Sequence, residues 1–235
     1  MRILAFDTAT SACSAALWED GRLIARRFET MPRGQSEHLI PMVLDVMTEA
    51  GAGFPDLDLL AVTNGPGAFT GLRIGLATAR GMALAGNLPC LGITTLDVVA
   101  AQVPAAERED RKLLVVLDSK RADVYAQAFA ADLRPLSEPR ALLPGDLPGL
   151  AAGGAGGNGP VVVAGDALAR GVKALEEAGM DVVASKAPGV PDAATVATLA
   201  AERWPEDASM APPPRPLYLR PPDAKRPKNG GRLRP

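Results

Sequence analysis

Two rhythms of apolar and polar positions alternate along the chain. Short apolar runs end in an acid and a hydroxyl residue. Between them lie longer stretches with apolar residues at every third or fourth place. The first rhythm is that of half-buried or buried strands and the second that of amphipathic helices. Ile3-Leu4-Ala5-Phe6 leads into Asp7-Thr8-Ala9-Thr10, and a second strand follows at Ser14–Trp18. Leu113-Leu114-Val115-Val116-Leu117 leads into Asp118-Ser119-Lys120-Arg121, and Val124–Phe129 follows. Asp20-Gly21 supplies a hairpin turn in the first copy, leading into Leu23-Ile24-Ala25. A strand-turn-strand unit that occurs twice predicts two similar α/β lobes.

Helical spacing of Leu39, Met42, Val43, Val46 and Met47 predicts a helix over Ser36–Ala50. A buried strand at Leu59–Thr63 then feeds a Gly-rich turn and a helix over Phe69–Ala85. Pro89–Ile93 reads as a strand and Leu96–Gln102 as a helix, with the lobes meeting near 105–111. In the second lobe, Val161–Ala164, a helix to about Ala178, a short strand at Asp181–Val183 and a helix over Ala193–Trp204 complete the pattern. The expected division is a first lobe over 1–105, a second over 106–210 and a Pro-rich basic tail over 211–235.

The turn at Gly65-Pro66-Gly67 looks like a phosphate loop but matches neither template. Gly71 is followed by Leu72 and Arg73 where a P-loop needs Lys and a hydroxyl, and Gly65, Gly67 and Gly71 miss the dinucleotide spacing. Inside the helix, Gly71, Gly75, Ala79 and Ala83 recur every fourth residue beside a row of Leu72, Leu76 and Leu84. Each interior glycine costs roughly 0.5–1 kcal/mol against alanine, so a close backbone approach must offset it. Two readings stay open: the stripe faces the chain's own sheet, or it faces a partner chain.

Composition narrows the function. Cys13 and Cys90 form no CxxC pair, and with one histidine, His38, there is no metal framework in view. The N-terminus meets Asp7 after a short apolar run, too short for a signal peptide, and no apolar run is long enough to span a membrane. The expected setting is the cytoplasm. Net charge is −2, yet residues 211–235 hold Arg215, Arg220, Lys225, Arg226, Lys228, Arg232 and Arg234 against Asp223 alone. An acidic body is not that of a dedicated nucleic-acid binder. The tail reads as a solvated Pro-rich end, with contact to RNA as the alternative.

Five ordered stretches resemble the TsaB (YeaZ) family: Ile3–Gly21, Pro32–Val43, Gly65–Gly75, Asp118–Phe129 and Pro216–Lys225. The resemblance implies a two-lobed actin/hexokinase-like (ASKHA) α/β fold with duplicated mixed-sheet cores. It also implies a non-catalytic role in making threonylcarbamoyladenosine in tRNA. The partners it implies are a TsaD-like catalytic subunit and a TsaE-like ATPase, with tRNA engaged only through the complex or weakly. Without the partner the same apolar helices are exposed, so a homodimer is expected when the chain is alone, and no membrane partner is expected. The resemblance assigns the contact to the two first-lobe helices, hence to Leu39, Met42, Val43, Val46, Phe69, Gly71, Leu72, Gly75, Leu76, Ala79, Met82 and Ala83. No catalytic residue, metal or cofactor is implied. Weak ATP or ADP binding at Asp7, Thr8, Asp118 and Ser119 is the open alternative, because actin-like kinases place phosphate loops there. Ala68 stands where the family often has Ser, which removes a hydroxyl from the helix start. A peptidase built on His38 and a small-molecule kinase on the same fold are the competing enzyme readings.

Overall fold

Among the described residues, ten strands sort into two sheets of the same internal order. The computed structural model of the chain describes residues 1–153, 159–204 and 213–220. The first sheet is built from β1 (Arg2–Asp7), β2 (Ala12–Glu19), β3 (Arg22–Thr30), β4 (Leu59–Gly65) and β5 (Cys90–Thr94), in the order β3-β2-β1-β4-β5. The second comprises β6 (Lys112–Asp118), β7 (Val124–Phe129), β8 (Arg140–Leu142), β9 (Val161–Ala164) and β10 (Val182–Ala184). Its order is β10-β9-β6-β7-β8, which is the same path traced again. In each lobe the first two strands pair antiparallel and the first pairs parallel with the fourth. The register sets Phe6 opposite Ala15 and Val116 opposite Ala126. The duplication visible in the sequence is a duplication of topology.

The α-helices among the described residues are α1 (Gln35–Glu49), α2 (Phe69–Gly86), α3 (Thr95–Gln102), α4 (Ala105–Arg108), α5 (Leu147–Ala152), α6 (Leu168–Glu177) and α7 (Ala193–Arg203). Helix α2 ends because Asn87 turns left-handed and returns its amide to the Ala83 carbonyl. Helix α1 continues through Pro41, whose exposed ring removes one internal hydrogen bond while Leu39, Met42, Val43, Val46 and Met47 bury the opposite face. Expected and observed bounds agree within a residue or two for both helices. Strand β8 and helix α5 were not expected, being short and set among Pro and Gly.

One face of the first sheet meets α1 and α2, joining Leu4, Phe6 and Leu60 to Leu39, Val46 and Leu76. Its other face, with Ile3, Ala5, Leu59 and Ala61, meets Val196, Ala197 and Ala200 of α7. One face of the second sheet meets α5 and α6. Its other face meets Leu96, Val99 and Ala100 of α3 and Val103 just after it. Thus α3, which follows β5, lies between the two sheets, with Val98 in the first lobe's core and Leu96 and Val99 in the second's, and α7, which follows β10, lines the first. The expected cut near residue 105 separates the sheets but not these two helices. The arrangement is the two-lobed actin/hexokinase-like fold. Among the described residues no helix is long and apolar enough to cross a membrane.

Candidate functional site

The β1–β2 turn of the first lobe is sealed by the Gly-rich loop. Thr8 donates its hydroxyl to the Gly71 carbonyl at 2.7 Å, and the Ala68 amide donates to the Ala9 carbonyl at 2.7 Å. A Cβ on Gly71 would strike the Thr8 carbonyl oxygen, and one on Gly67 the Ala9 carbonyl oxygen. A Cβ on Gly75 would stand 2.7 Å from the Thr8 hydroxyl and 3.3 Å from Val62. The glycines therefore let the start of α2 lie flat on the β1–β2 turn. The side-chain hydroxyl missing at Ala68 leaves α2 without a side-chain N-cap.

Asp7 lies wholly buried beneath this seal. One carboxylate oxygen accepts from the Thr63 hydroxyl and, at 3.0 Å, from the Ala9 amide, while its other oxygen has no partner. Burial, only partly offset by those two donors, pushes the carboxyl up to about 7.

The equivalent turn in the second lobe is open and charged. Ser119 donates to the Asp123 carbonyl and carboxylate at 2.7 Å. Asp118 accepts from the Lys120 amide at 2.8 Å and its ammonium at 3.0 Å, and Arg170 stands 3.6 Å away. Partial burial raises the Asp118 carboxyl, but Lys120 and Arg170 outweigh it and hold the group below the ordinary carboxylate value. The Asp118 amide donates to Asp166 at 2.7 Å. Of the four expected nucleotide-site residues, Asp7 and Thr8 are covered by α2, and Asp118 and Ser119 are already paired to their own turn.

The small-residue stripe also faces inward. Leu39, Met42, Val43 and Val46 of α1 and Gly71, Leu72, Gly75, Leu76 and Ala79 of α2 are all buried inside the first lobe. They cannot be contact side chains of the folded chain, which corrects most of the expected interface. Only Phe69 is exposed among the twelve, with Met82 and Ala83 half-buried. The outward faces carry other residues: Ile40 and Leu44 on α1, and Ala77, Gly81, Leu84 and Ala85 on α2. Leu84 is 86% exposed, and a Cβ on Gly81 would meet open space. The signal that could have found this face is phase: Ile40 and Leu44 lie one place beyond the buried Leu39 and Val43.

His38 is exposed on α1, its Nδ1 3.2 Å from a Glu29 carboxylate oxygen. Among the described residues no group of three metal-ligating side chains comes together. Cys13 and Cys90 are free and buried, and burial pushes each thiol up to about 12. Of the tail, Pro214 is buried and Pro216, Leu217, Leu219 and Arg220 are half-buried, while Pro213, Arg215 and Tyr218 are exposed. Lys225, Arg226, Lys228, Arg232 and Arg234 lie outside the described residues.

The fold is of the two-lobed actin-like class, and the β1–β2 turn of its first lobe is filled by the chain's own backbone. A family model described as "TsaD: tRNA N6-adenosine threonylcarbamoyltransferase" matches residues 29–155. The tRNA threonylcarbamoyladenosine biosynthesis protein TsaB of Escherichia coli is 42% identical over 132 residues, 56% of this chain and 56% of that protein. An uncharacterized protein of Mycobacterium tuberculosis is 33% identical over 226 residues, 95% of this chain and 93% of its own. YeaZ from Pseudomonas aeruginosa superimposes with a TM-score of 0.74 at 29% identity, covering 93% of this chain and 99% of that one. A Pseudomonas aeruginosa structure described as similar to "peptidase YEAZ" gives 0.75 at 28% identity over the same shares. The chain belongs to the TsaB (YeaZ) family. Its match to the Escherichia coli relative spans about half of that protein's length.

Proposed function

We propose that the chain is a non-catalytic subunit in the synthesis of threonylcarbamoyladenosine in tRNA. In this reading it docks a TsaD-like catalytic subunit through the outward faces of α1 and α2. A TsaE-like ATPase completes the assembly in the cytoplasm, and tRNA is engaged through the complex. One observation carries the reading. Ile40, Leu44, Phe69 and Leu84 are large apolar side chains left exposed on two helices whose inner faces are already fully used. Apolar patches of this kind mark interaction sites, and the open ground at Gly81 lets a partner helix approach closely. Two copies of this face cover each other when the partner is missing, which gives a homodimer.

The residues available for chemistry support a subunit rather than an enzyme. The His38 imidazole is engaged with Glu29, and no hydroxyl or thiol is hydrogen-bonded to it among the described residues. That weighs against a peptidase centred there. A kinase needs room for phosphate at the two turns, and the first is closed by Gly67 and Gly71. The reading assigns no cofactor.

The test is co-purification with a TsaD-like protein, followed by modification of tRNA with and without this chain. Leu84→Asp weakens the complex by roughly 10–100-fold, the loss expected for a central interface side chain. Its melting temperature stays that of the wild type, since Leu84 supports nothing inside the lobe. Undiminished affinity in Leu84→Asp and Leu44→Asp together rejects this docking face.

A further inference from the structure

Residues 213–220 run as an extended segment, without helix or strand, from the first lobe to the second. Pro214 lies over Gly92, where a Cβ would come within 2.9 Å of the proline ring. The Leu217 amide donates to the Asn64 carbonyl at 2.7 Å. Gly65 has φ +113, and a Cβ there would stand 2.9 Å from the Leu217 carbonyl oxygen. The ends of β4 and β5 are thus shaped, by a glycine in each, to receive this segment. The Tyr218 ring then lies 5.7 Å from the Phe69 ring. The Arg73 guanidinium sits 3.7 Å over the Phe69 ring, and its Nε is 3.4 Å from the Tyr218 hydroxyl. Two residues later the segment reaches the second lobe, where Arg220 Nε is 3.1 Å from an Asp123 carboxylate oxygen. The Asp123 side chain is only 13% exposed, and the same residue anchors Ser119. A charge-assisted bond to a carboxylate so sheltered is stronger and more directional than one on an open surface.

We propose that residues 213–220 form a latch that sets the angle between the lobes, seated on Asn64, Gly65 and Phe69 in the first and caught by Asp123 in the second. The chain's own C-terminal segment thus supplies a bridge between the lobes. The proposal does not depend on the identity of any partner.

The test uses the full chain with spin labels at Arg22→Cys on β3 and Lys173→Cys on α6, both exposed. Cys13 and Cys90 need no removal, since both thiols are buried and pushed up to about 12. The interlobe distance distribution is measured in this background, in Arg220→Glu and in Tyr218→Ala. Exchange of the Leu217 amide reports whether the segment is seated. Release of the latch broadens the distribution about twofold and speeds Leu217 exchange about tenfold or more. In a charge-exchanged chain, Arg220→Asp with Asp123→Arg, the narrow distribution returns. An unchanged distribution in both single variants overturns the proposal, whatever the exchange rate does.

Discussion

The two lobes carry the same strand order and the same strand-turn-strand opening, yet their first turns have opposite fates. In the first lobe the turn after β1 is buried under the start of α2, and Asp7 sits in an apolar surround with one oxygen unpaired. In the second, the turn after β6 is held by Lys120, Arg170 and Asp166, and Asp118 is stabilised as a carboxylate. What differs is the loop that follows the fourth strand of each sheet. After β4, Gly67 and Gly71 allow backbone to touch backbone. After β9, Gly165 makes the close approach to Val116, and Asp166 reaches across to the Asp118 amide. One lobe closes its turn with bare main chain, and the other ties its turn with a side chain.

The largest effect expected from this contrast is electrostatic. Asp7 titrates near 7 in the folded chain and near 3.8 when unfolded, so the folded state binds the proton more tightly between those values. Raising the pH through that window therefore lowers stability, by about 4 kcal/mol as a ceiling. Asp7→Asn removes that loss. Its advantage over the wild type is absent near pH 4, grows through neutrality and levels off above it, as chemical denaturation at a series of pH values will reveal. Parallel curves for the two proteins would mean that Asp7 is not buried as a lone carboxyl.

Next in size is Gly71→Ala. The added methyl meets the Thr8 carbonyl, which is main chain and cannot swing away, so the variant loses about 2–3 kcal/mol, the upper part of the range for overpacking. Gly81→Ala on the same helix meets nothing and gains about 0.5–1 kcal/mol from helix propensity. Equal melting temperatures for the two would break the claim that inward and outward glycines differ. The smallest effect belongs to the second lobe. Asp166→Ala strands the Asp118 amide at a loss of about 1 kcal/mol, while Asp166→Asn retains an acceptor and changes little. A loss at Asp166→Ala matching that at Gly71→Ala would erase the distinction between the turns.

Much of the architecture was legible because strands and helices announce themselves by local period. The repeat of Ile3–Asp7 at Leu113–Asp118, and the bounds of α1 and α2, needed only neighbouring residues. The inward face of α2 was not legible. Gly71, Gly75 and Ala79 form one small-residue row, and Ala77, Gly81 and Ala85 form another, so size alone does not say which row meets the sheet. Only the Thr8 backbone decides it, and that contact lies some sixty residues away along the chain. Burial of Leu39 and Val43 fits the amphipathic pattern, and reading them as contacts overlooked that a helix cannot present one face both to its core and to a partner. The C-terminal segment was read as solvated because proline and arginine dominate it. Its seat depends on Gly65 and Gly92, which belong to distant strands.

The return of α7 to the first sheet, and the place of α3 between both sheets, make the lobes inseparable in spite of their likeness. A fragment ending near residue 105 would leave Ile3, Ala5, Leu59 and Ala61 without the helix that lines them, and its complement would leave Leu113 and Val162 bare in turn. The duplicated halves are thus woven like clasped hands. A chain emerging from the ribosome cannot finish its first lobe until α7, beyond residue 192, has been made.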